Sequence, residues 1–236
     1  MKQREPWKAA VNGILASLCA QAHERIRPHL EPVHLDLGTV VYETDQPLSH
    51  VYFPTTAIVS LLYTMEDGRC AAMGVVGRDG VVGIAVFMGG DTTPNRAVVQ
   101  SAGDAWRMDL KHFRSEFRRV DELHRLLLLY TQSLLTQMSQ TAVCSRLHSV
   151  EQQLCRWLLL THDRLCGDEL MMTQGLLADM LGVRREGVSV AAHRLQQDGL
   201  IRYKRGRITI VDRVGLESRV CECYEVVRRE CERLLR

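Results

Sequence analysis

The chain has 236 residues, 46% of them hydrophobic and 25% charged, and a formal charge of only +2. That balance excludes a disordered polar chain and leaves room for one or two sizeable cores. Apolar runs such as Leu126 to Tyr130 and Trp157 to Leu160 are far too short to cross a bilayer. Met1-Lys2-Gln3-Arg4-Glu5-Pro6 has no apolar region behind it, so no export signal and a cytoplasmic location are expected.

From about Glu5 to Leu30 the pattern is helical, broken by Pro28 and Pro32. A β-rich block comes next. Val33 to Tyr42, Val51 to Phe53, Ile58 to Thr64, Cys70 to Val76, Ala97 to Ser101 and Ala105 to Met108 are short strand candidates. Turn signals such as Asp45-Gln46-Pro47, Asp67-Gly68 and Asp79-Gly80 separate them. Many short strands at even spacing argue for a barrel or double-sheet roll rather than a parallel sheet.

After Leu110 the pattern turns helical for most of the next 55 or so residues. Leu123, Leu127, Tyr130, Leu134, Met138 and Thr141 recur at steps of four and three, close to a heptad seam. A helix from roughly Asp109 to Cys144 is therefore expected to pair with a second copy through that seam. Leu126, Leu128, Leu129 and Leu135 widen the apolar surface, and that second side is expected against the β-block. Ser149-Val150-Glu151-Gln152 matches a capping box, which starts a new helix through Trp157 and places a hinge just before it. Trp157 and Leu158 to Leu160 are assigned to the core of the C-terminal region.

Residues 173 to 201, TQGLLADMLGVRREGVSVAAHRLQQDGLI, carry the spacing of a helix-turn-helix. Thr173 caps a first helix from Gln174 to about Met180, and Gly182 supplies the left-handed turn. A second helix starts near Val183, with Val188, Ala191, Ala192 and Leu195 on one face. Arg185, Glu186, Ser189 and His193 are left on the outer face. Leu200 to Val211 then forms two short strand-like runs around a glycine turn, a wing. Between Arg184 and Arg207, seven Lys or Arg residues face only Glu186 and Asp198, so the basic charge is local. Such a helix and wing suit DNA phosphates. Thr173, Arg184, His193, Arg202, Lys204, Arg205 and Arg207 are assigned to the backbone, and Arg185, Glu186 and Ser189 to base edges.

The eight cysteines, Cys19, Cys70, Cys144, Cys155, Cys166, Cys221, Cys223 and Cys231, include no Cys-x-x-Cys pair. Reduced structural thiols, with no metal site, are the expectation. A helix from about Val214 would hold Cys223 and Cys231 about two turns apart, too far for one ligand cluster without help from elsewhere. Oxidation sensing is the minor alternative.

A β-roll, a long helix and a C-terminal winged helix-turn-helix in this order resemble the Crp/Fnr superfamily of bacterial transcription regulators. The resemblance is most specific in Leu177-Ala178-Asp179-Met180-Leu181-Gly182-Val183-Arg184-Arg185-Glu186. It implies an α+β fold in three parts: a cyclic-nucleotide-binding-like sensor domain (1–110), a dimerisation helix and hinge (111–146), and a DNA-binding domain (147–236). It also implies a non-enzymatic homodimer bound to double-stranded DNA at an inverted repeat, with RNA polymerase as a further partner. Arg185 would read guanine and Glu186 cytosine, as a guanidinium fork and a carboxylate can.

The chain departs from the family pattern in several places. Val190 stands where many members carry a further Arg. Gly187 lies inside the recognition helix, which either close approach to DNA or packing must explain. The segment matching the cyclic-nucleotide site is Gly80-Val81-Val82-Gly83-Ile84, with Arg96-Ala97 after a glycine-rich insertion, so the ribose-holding carboxylate is missing. Gly80, Val81, Val82, Gly83, Arg96 and Ala97 remain the candidate effector pocket, and ordinary cyclic AMP is not expected there. No iron–sulfur cluster is expected, because only Cys19 lies near the N-terminus. His50, Cys70 and Met73 are haem-ligand types, but no spacing singles them out. The competing classes are an enzyme, for which no nucleophile elbow, phosphate loop or zinc spacing appears, a haem or redox sensor, and a nucleotide-responsive module without strong DNA affinity. The local basic charge argues against the last.

Overall fold

The computed structural model describes residues 11–165 and 167–235. The expected helical stretch from Glu5 lies partly outside them, as do Met1 to Pro6 and Cys166. Its described part is two short helices, α1 (Gly13–Ala16) and α2 (Ala20–Ile26), and one 3-10 turn at Arg27–His29 that takes Pro28 at its start. Pro32 falls in β1 (Glu31–Leu35), an edge strand where a missing N–H is tolerated.

The β-block is a roll of two antiparallel sheets. The strand read as Val33 to Tyr42 is two strands, β1 and β2 (Val40–Tyr42), split by a turn in which Thr39 donates its amide to the Asp36 carbonyl. The chain continues through β3 (His50–Pro54), β4 (Ile58–Thr64), β5 (Cys70–Val76), a short helix α3 (Ala85–Met88), β6 (Arg96–Ser101) and β7 (Gly103–Asp109). One sheet has the order β1-β7-β3 and the other β2-β6-β4-β5. Facing residues such as Val51, Phe53, Val59, Leu61, Ala97, Val99 and Met108 fill the space between them.

The long helical region is three helices. Asp109 caps α4 (Leu110–Phe117), and Asp121 caps α5 (Glu122–Leu147). Between them Val120 takes a left-handed φ of 53°, which stops the first helix and re-aims the chain. The single helix expected from Asp109 to Cys144 is therefore interrupted near Val120. Ser149 and Gln152 form the expected capping box at the start of α6 (Val150–His162).

A second core lies around α6. It gathers Leu154, Trp157, Leu158, Leu159 and Leu160 with Leu177, Val188, Ala191, Ala192 and Leu195 of the helix-turn-helix. β8 (Glu169–Met171), not anticipated from the sequence, joins β9 (Ile201–Lys204) and β10 (Arg207–Ile210) in a sheet of order β8-β10-β9. α7 (Gln174–Leu181) and α8 (Arg185–Gln197) are the helix-turn-helix pair, and α9 (Arg213–Arg219) and α10 (Cys223–Leu235) close the chain. The two cores touch, since Leu62, Ala72 and Val98 of the roll pack into the second.

The seam expected to join two copies is instead internal. Leu123, Leu127, Tyr130 and Leu134 are all at most 5% exposed and belong to the core of their own roll. Met138 packs on the same core, and the Thr141 hydroxyl donates to the Gln137 carbonyl while accepting from Arg156 Nη2 at 2.9 Å. α5 is apolar on more than one side, and the roll takes the side that carries Leu123, Leu127, Tyr130 and Leu134. The side left open carries Leu128 (50% exposed), Leu135 (55%), Val143 and Leu147.

Candidate nucleic-acid interface

Thr173 starts the motif as read, its Oγ1 accepting the Leu176 amide at 3.2 Å. Gly182 ends α7 with φ 66°, and a side chain there would also press on the Ala71 Cβ of the roll, so glycine is favoured on two counts. The turn then leads through Arg184 into α8, whose buried face is Val188, Ala191, Ala192 and Leu195. Arg184, Arg185, Glu186, Val190 and His193 are left exposed at its start and outer face.

The wing turns on Arg205 (φ 51°) and Gly206 (φ 75°), the paired left-handed conformation of a two-residue hairpin turn. It is locked to the helices. The Tyr203 amide donates to Gln196 Oε1 of α8 at 2.7 Å, and the Tyr203 hydroxyl donates to the Met172 carbonyl at 2.8 Å. Thr173, Gln174, Arg185, Tyr203, Arg205 and Gly206 consequently line one shallow cleft of about 300 Å³. The fold thus brings a base-reader candidate and two backbone candidates to a common rim.

Ion pairing divides the basic residues. Arg184, Arg185, Arg202, Lys204 and Arg205 have no acidic partner among the described residues, whereas Arg207 Nη1 lies 3.1 Å from Glu169 Oε2. Arg207 is therefore partly neutralised before any DNA arrives. Asp198, counted against the basic charge of this segment, is itself paired with Arg219 at 2.8 Å. Arg194 Nη1 in turn lies 3.8 Å from Glu151 Oε2, so the positive charge that pairing leaves free is concentrated at the start of α8 and on the wing.

Ser189 is turned inward. Its hydroxyl lies 2.8 Å from Gln174 Oε1 and 3.0 Å from the Arg185 carbonyl, so it bridges the two helices instead of presenting a free group to a base. Glu186 lines a different cleft from Arg185, with Val150, Glu151, Val190 and Arg194. Packing does not demand Gly187, where an added Cβ would sit 3.8 Å from Val150, an ordinary contact. Gln174, Gln196 and Tyr203 were not singled out in the sequence. Only the place of Gln174 directly after the Thr173 cap could have marked it.

The expected effector segment is filled by the chain itself. Val81 and Val82 are buried, Val82 exchanges backbone hydrogen bonds with Tyr52, and Ala97 is fully enclosed. Gly80 lies against the Tyr130 ring, where a Cβ would overlap the ring atoms, and its carbonyl accepts from Asn12 Nδ2 at 2.7 Å. Gly83, with φ 106°, packs toward Leu48 and Val51. Arg96 keeps a buried Nε without a hydrogen-bond partner, its closest carboxylate being Glu43 at 4.0 Å. None of the six lines the cleft of about 650 Å³ found between the N-terminal helices and α5, α6 and α10. That cleft is lined instead by groups such as Arg78, Asp79, His162, Arg164 and Arg213.

Among the described residues, one cluster could hold a metal ion. Cys144, His148, Cys221 and Cys223 present ligand atoms that all lie within 4.8 Å of one another. The Cys144 and Cys221 thiols share a hydrogen bond, which pulls the Cys221 thiol down to about 5 and pushes that of Cys144 up. Burial lifts Cys223 to about 11. The reading of the cysteines by Cys-x-x-Cys spacing missed this set because it joins Cys-x-x-x-His to a distant Cys-x-Cys.

Two family models match the chain: a cyclic nucleotide-binding domain over residues 32–120 and a Crp-like helix-turn-helix domain over residues 152–219. The chain belongs to the Crp/Fnr family of transcription regulators. Such regulators are not enzymes, and the helix-turn-helix is a DNA-binding module. Solved structures share the fold. FixK2 from Bradyrhizobium japonicum is 19% identical, with a TM-score of 0.65 over 81% of this chain and 98% of that one. The c-di-GMP responsive regulator CLP of Xanthomonas campestris is also 19% identical, with a TM-score of 0.62 over 81% and 99%. A CRP-family regulator from Thermus thermophilus is 17% identical, with a TM-score of 0.65 over 79% and 95%. No curated protein matches the chain as a sequence relative. No helix among the described residues is long and apolar enough to cross a membrane.

Proposed function

We propose that this Crp/Fnr regulator works in the cytoplasm as a homodimer that binds an inverted repeat in double-stranded DNA. Arg185 and Glu186 read base edges from the first turn of α8, and each half-site presents the same guanine to Arg185. Arg184, Arg202, Lys204 and Arg205 hold phosphates, with Thr173 and His193 at the margin. The observation that carries this reading is the set of exposed, acid-free cations at the start of α8 and on the wing, joined by the Tyr203 bridges. Ordinary cyclic AMP is not the effector in this reading, because Gly80 to Gly83 offers no carboxylate for a ribose and its space is taken by the chain. A different small molecule or none tunes the roll, and RNA polymerase is the further partner.

Binding-site selection from random DNA tests the reading. A bidentate arginine contact is worth about 1–3 kcal/mol of discrimination. Arg185→Ala is therefore expected to relax preference at one symmetric base-pair position while nonspecific affinity falls only modestly. Glu186→Ala is expected to act at a neighbouring position. Wild type and both variants recovering the same motif with the same base frequencies would overturn the assignment.

A further inference from the structure

We propose that Cys144, His148, Cys221 and Cys223 form a tetrahedral zinc site that fastens the end of the long helix α5 to the link between α9 and α10. The four ligand atoms come from two short segments far apart in sequence. Cys144 lies in the last turn of α5 and His148 is its C-cap, four residues on, held in place by its amide bonding to the Cys144 carbonyl. Cys221 and Cys223 flank the entry to α10. Cys144 Sγ and Cys221 Sγ are 3.5 Å apart, and Cys223 Sγ is 3.6 Å from His148 Nδ1.

Those separations have the size of tetrahedron edges. Zinc bonds of about 2.3 Å to sulfur and 2.0–2.1 Å to nitrogen require edges of roughly 3.8 Å between sulfurs and 3.5 Å between sulfur and nitrogen. A multinuclear iron–sulfur cluster would spread the sulfurs well beyond this. Three thiols and one imidazole are also the donor set of closed structural zinc sites, and all three sulfurs are buried.

Two features around the ligands fit the same ion. His148 turns Nδ1 to the cluster and places Nε2 3.4 Å from Glu222 Oε2, the carboxylate–histidine arrangement that orients a metal-bound imidazole. Arg156 is buried at 7% exposure, with Nε and Nη1 unpaired, and its charge acts on both Cys144 and Cys223. Zinc held by three thiolates and a neutral imidazole would leave a site of net charge −1. The Arg156 guanidinium is the cation that balances it. The site borders the Ser149 hinge, so the ion would fix the angle at which α5 hands over to the DNA-binding domain.

The test is the metal content of the full-length protein purified under reducing conditions. About one zinc per protomer is expected, surviving gel filtration and dialysis against a mild chelator, and released when a mercurial titrates the thiols. Cys221→Ser and Cys223→Ser are expected to lose most of the metal, and Cys70→Ser none. His148→Cys is expected to retain it where His148→Ala does not, which separates ligation from folding. Glu222→Ala is expected to weaken zinc affinity about 10–100-fold while leaving the stoichiometry at saturation unchanged. Cobalt loaded into the wild type is expected to give tetrahedral d–d and thiolate charge-transfer bands. Apo protein that takes up neither zinc nor cobalt would overturn the proposal. Zinc retained equally by Cys221→Ser would do the same, as would peptide mapping that shows a Cys144–Cys221 disulfide in place of metal.

Discussion

A single glycine ties the candidate effector segment to the long helix. Gly80 has an ordinary backbone φ, so its requirement is steric: the Tyr130 ring occupies the space a methyl group would need. Gly80→Ala is expected to cost about 1–3 kcal/mol in urea unfolding, the usual range for overpacking a filled site. Tyr130→Leu in the same chain should recover part of that loss. If the double variant is no more stable than Gly80→Ala alone, the ring is not the obstacle. Gly187 is the contrasting case, a helical glycine with room for a side chain, whose reason is to be sought at the DNA.

Among the elements, α5 and the wing make the clearest demands. With Leu123, Leu127, Tyr130 and Leu134 committed to their own roll, the proposed dimer has Leu128 and Leu135, one heptad apart, on the free face. Leu128→Glu with Leu135→Glu is expected to give folded monomers in sedimentation, with the thermal transition retained. Leu127→Glu should instead unfold the roll, since an unpaired carboxylate would be buried. Equal dimerisation by wild type and the double variant would exclude this face. On the wing, Lys204→Ala with Arg205→Asn removes two free cations and keeps a residue that tolerates the left-handed turn. Specific and random DNA are expected to weaken about equally, with the salt slope of binding falling by roughly one to two per protomer. A loss restricted to one operator sequence would argue that the wing reads bases. Arg207, already paired with Glu169, should matter less in the same titration.

At the scale of the whole molecule, the two halves are joined by a buried ion pair as well as by apolar contact. Arg164, just past α6, places Nη2 2.7 Å and Nε 3.0 Å from the two oxygens of Asp79 in the roll, while Nη1 donates to the Leu160 carbonyl at 2.6 Å. Removing one partner of such a pair strands a buried charge. Asp79→Ala is thus expected to lower stability by about 3 kcal/mol, the low end of the usual range because Asp79 keeps some access to water. Asp67→Ala, which breaks the exposed pair with Arg69, should change it by less than about 1 kcal/mol. Comparable losses in the two variants would show that Arg164 finds other solvation in the absence of Asp79.

The parts of this protein legible in the sequence are those set by local rules. The strands Ile58–Thr64 and Cys70–Val76 stand where their short apolar runs and the flanking turn residues put them, and Thr173, Gly182 and Ser149 perform the capping and turning their residue types allow. Those rules also sufficed for the helix-turn-helix and its basic wing, on which the resemblance to the family was then drawn. The tertiary structure alone decided which side of α5 faces inward, because apolar residues on several sides give periodicity no single answer. It alone turned Ser189 toward Gln174, paired Arg207 with Glu169, and filled the Gly80 to Gly83 segment with Tyr130 and its neighbours. The proposed metal-ligand set escaped sequence reading for the same reason: Cys144 and Cys221 are 77 positions apart, and only the packing of α10 along α5 makes them neighbours.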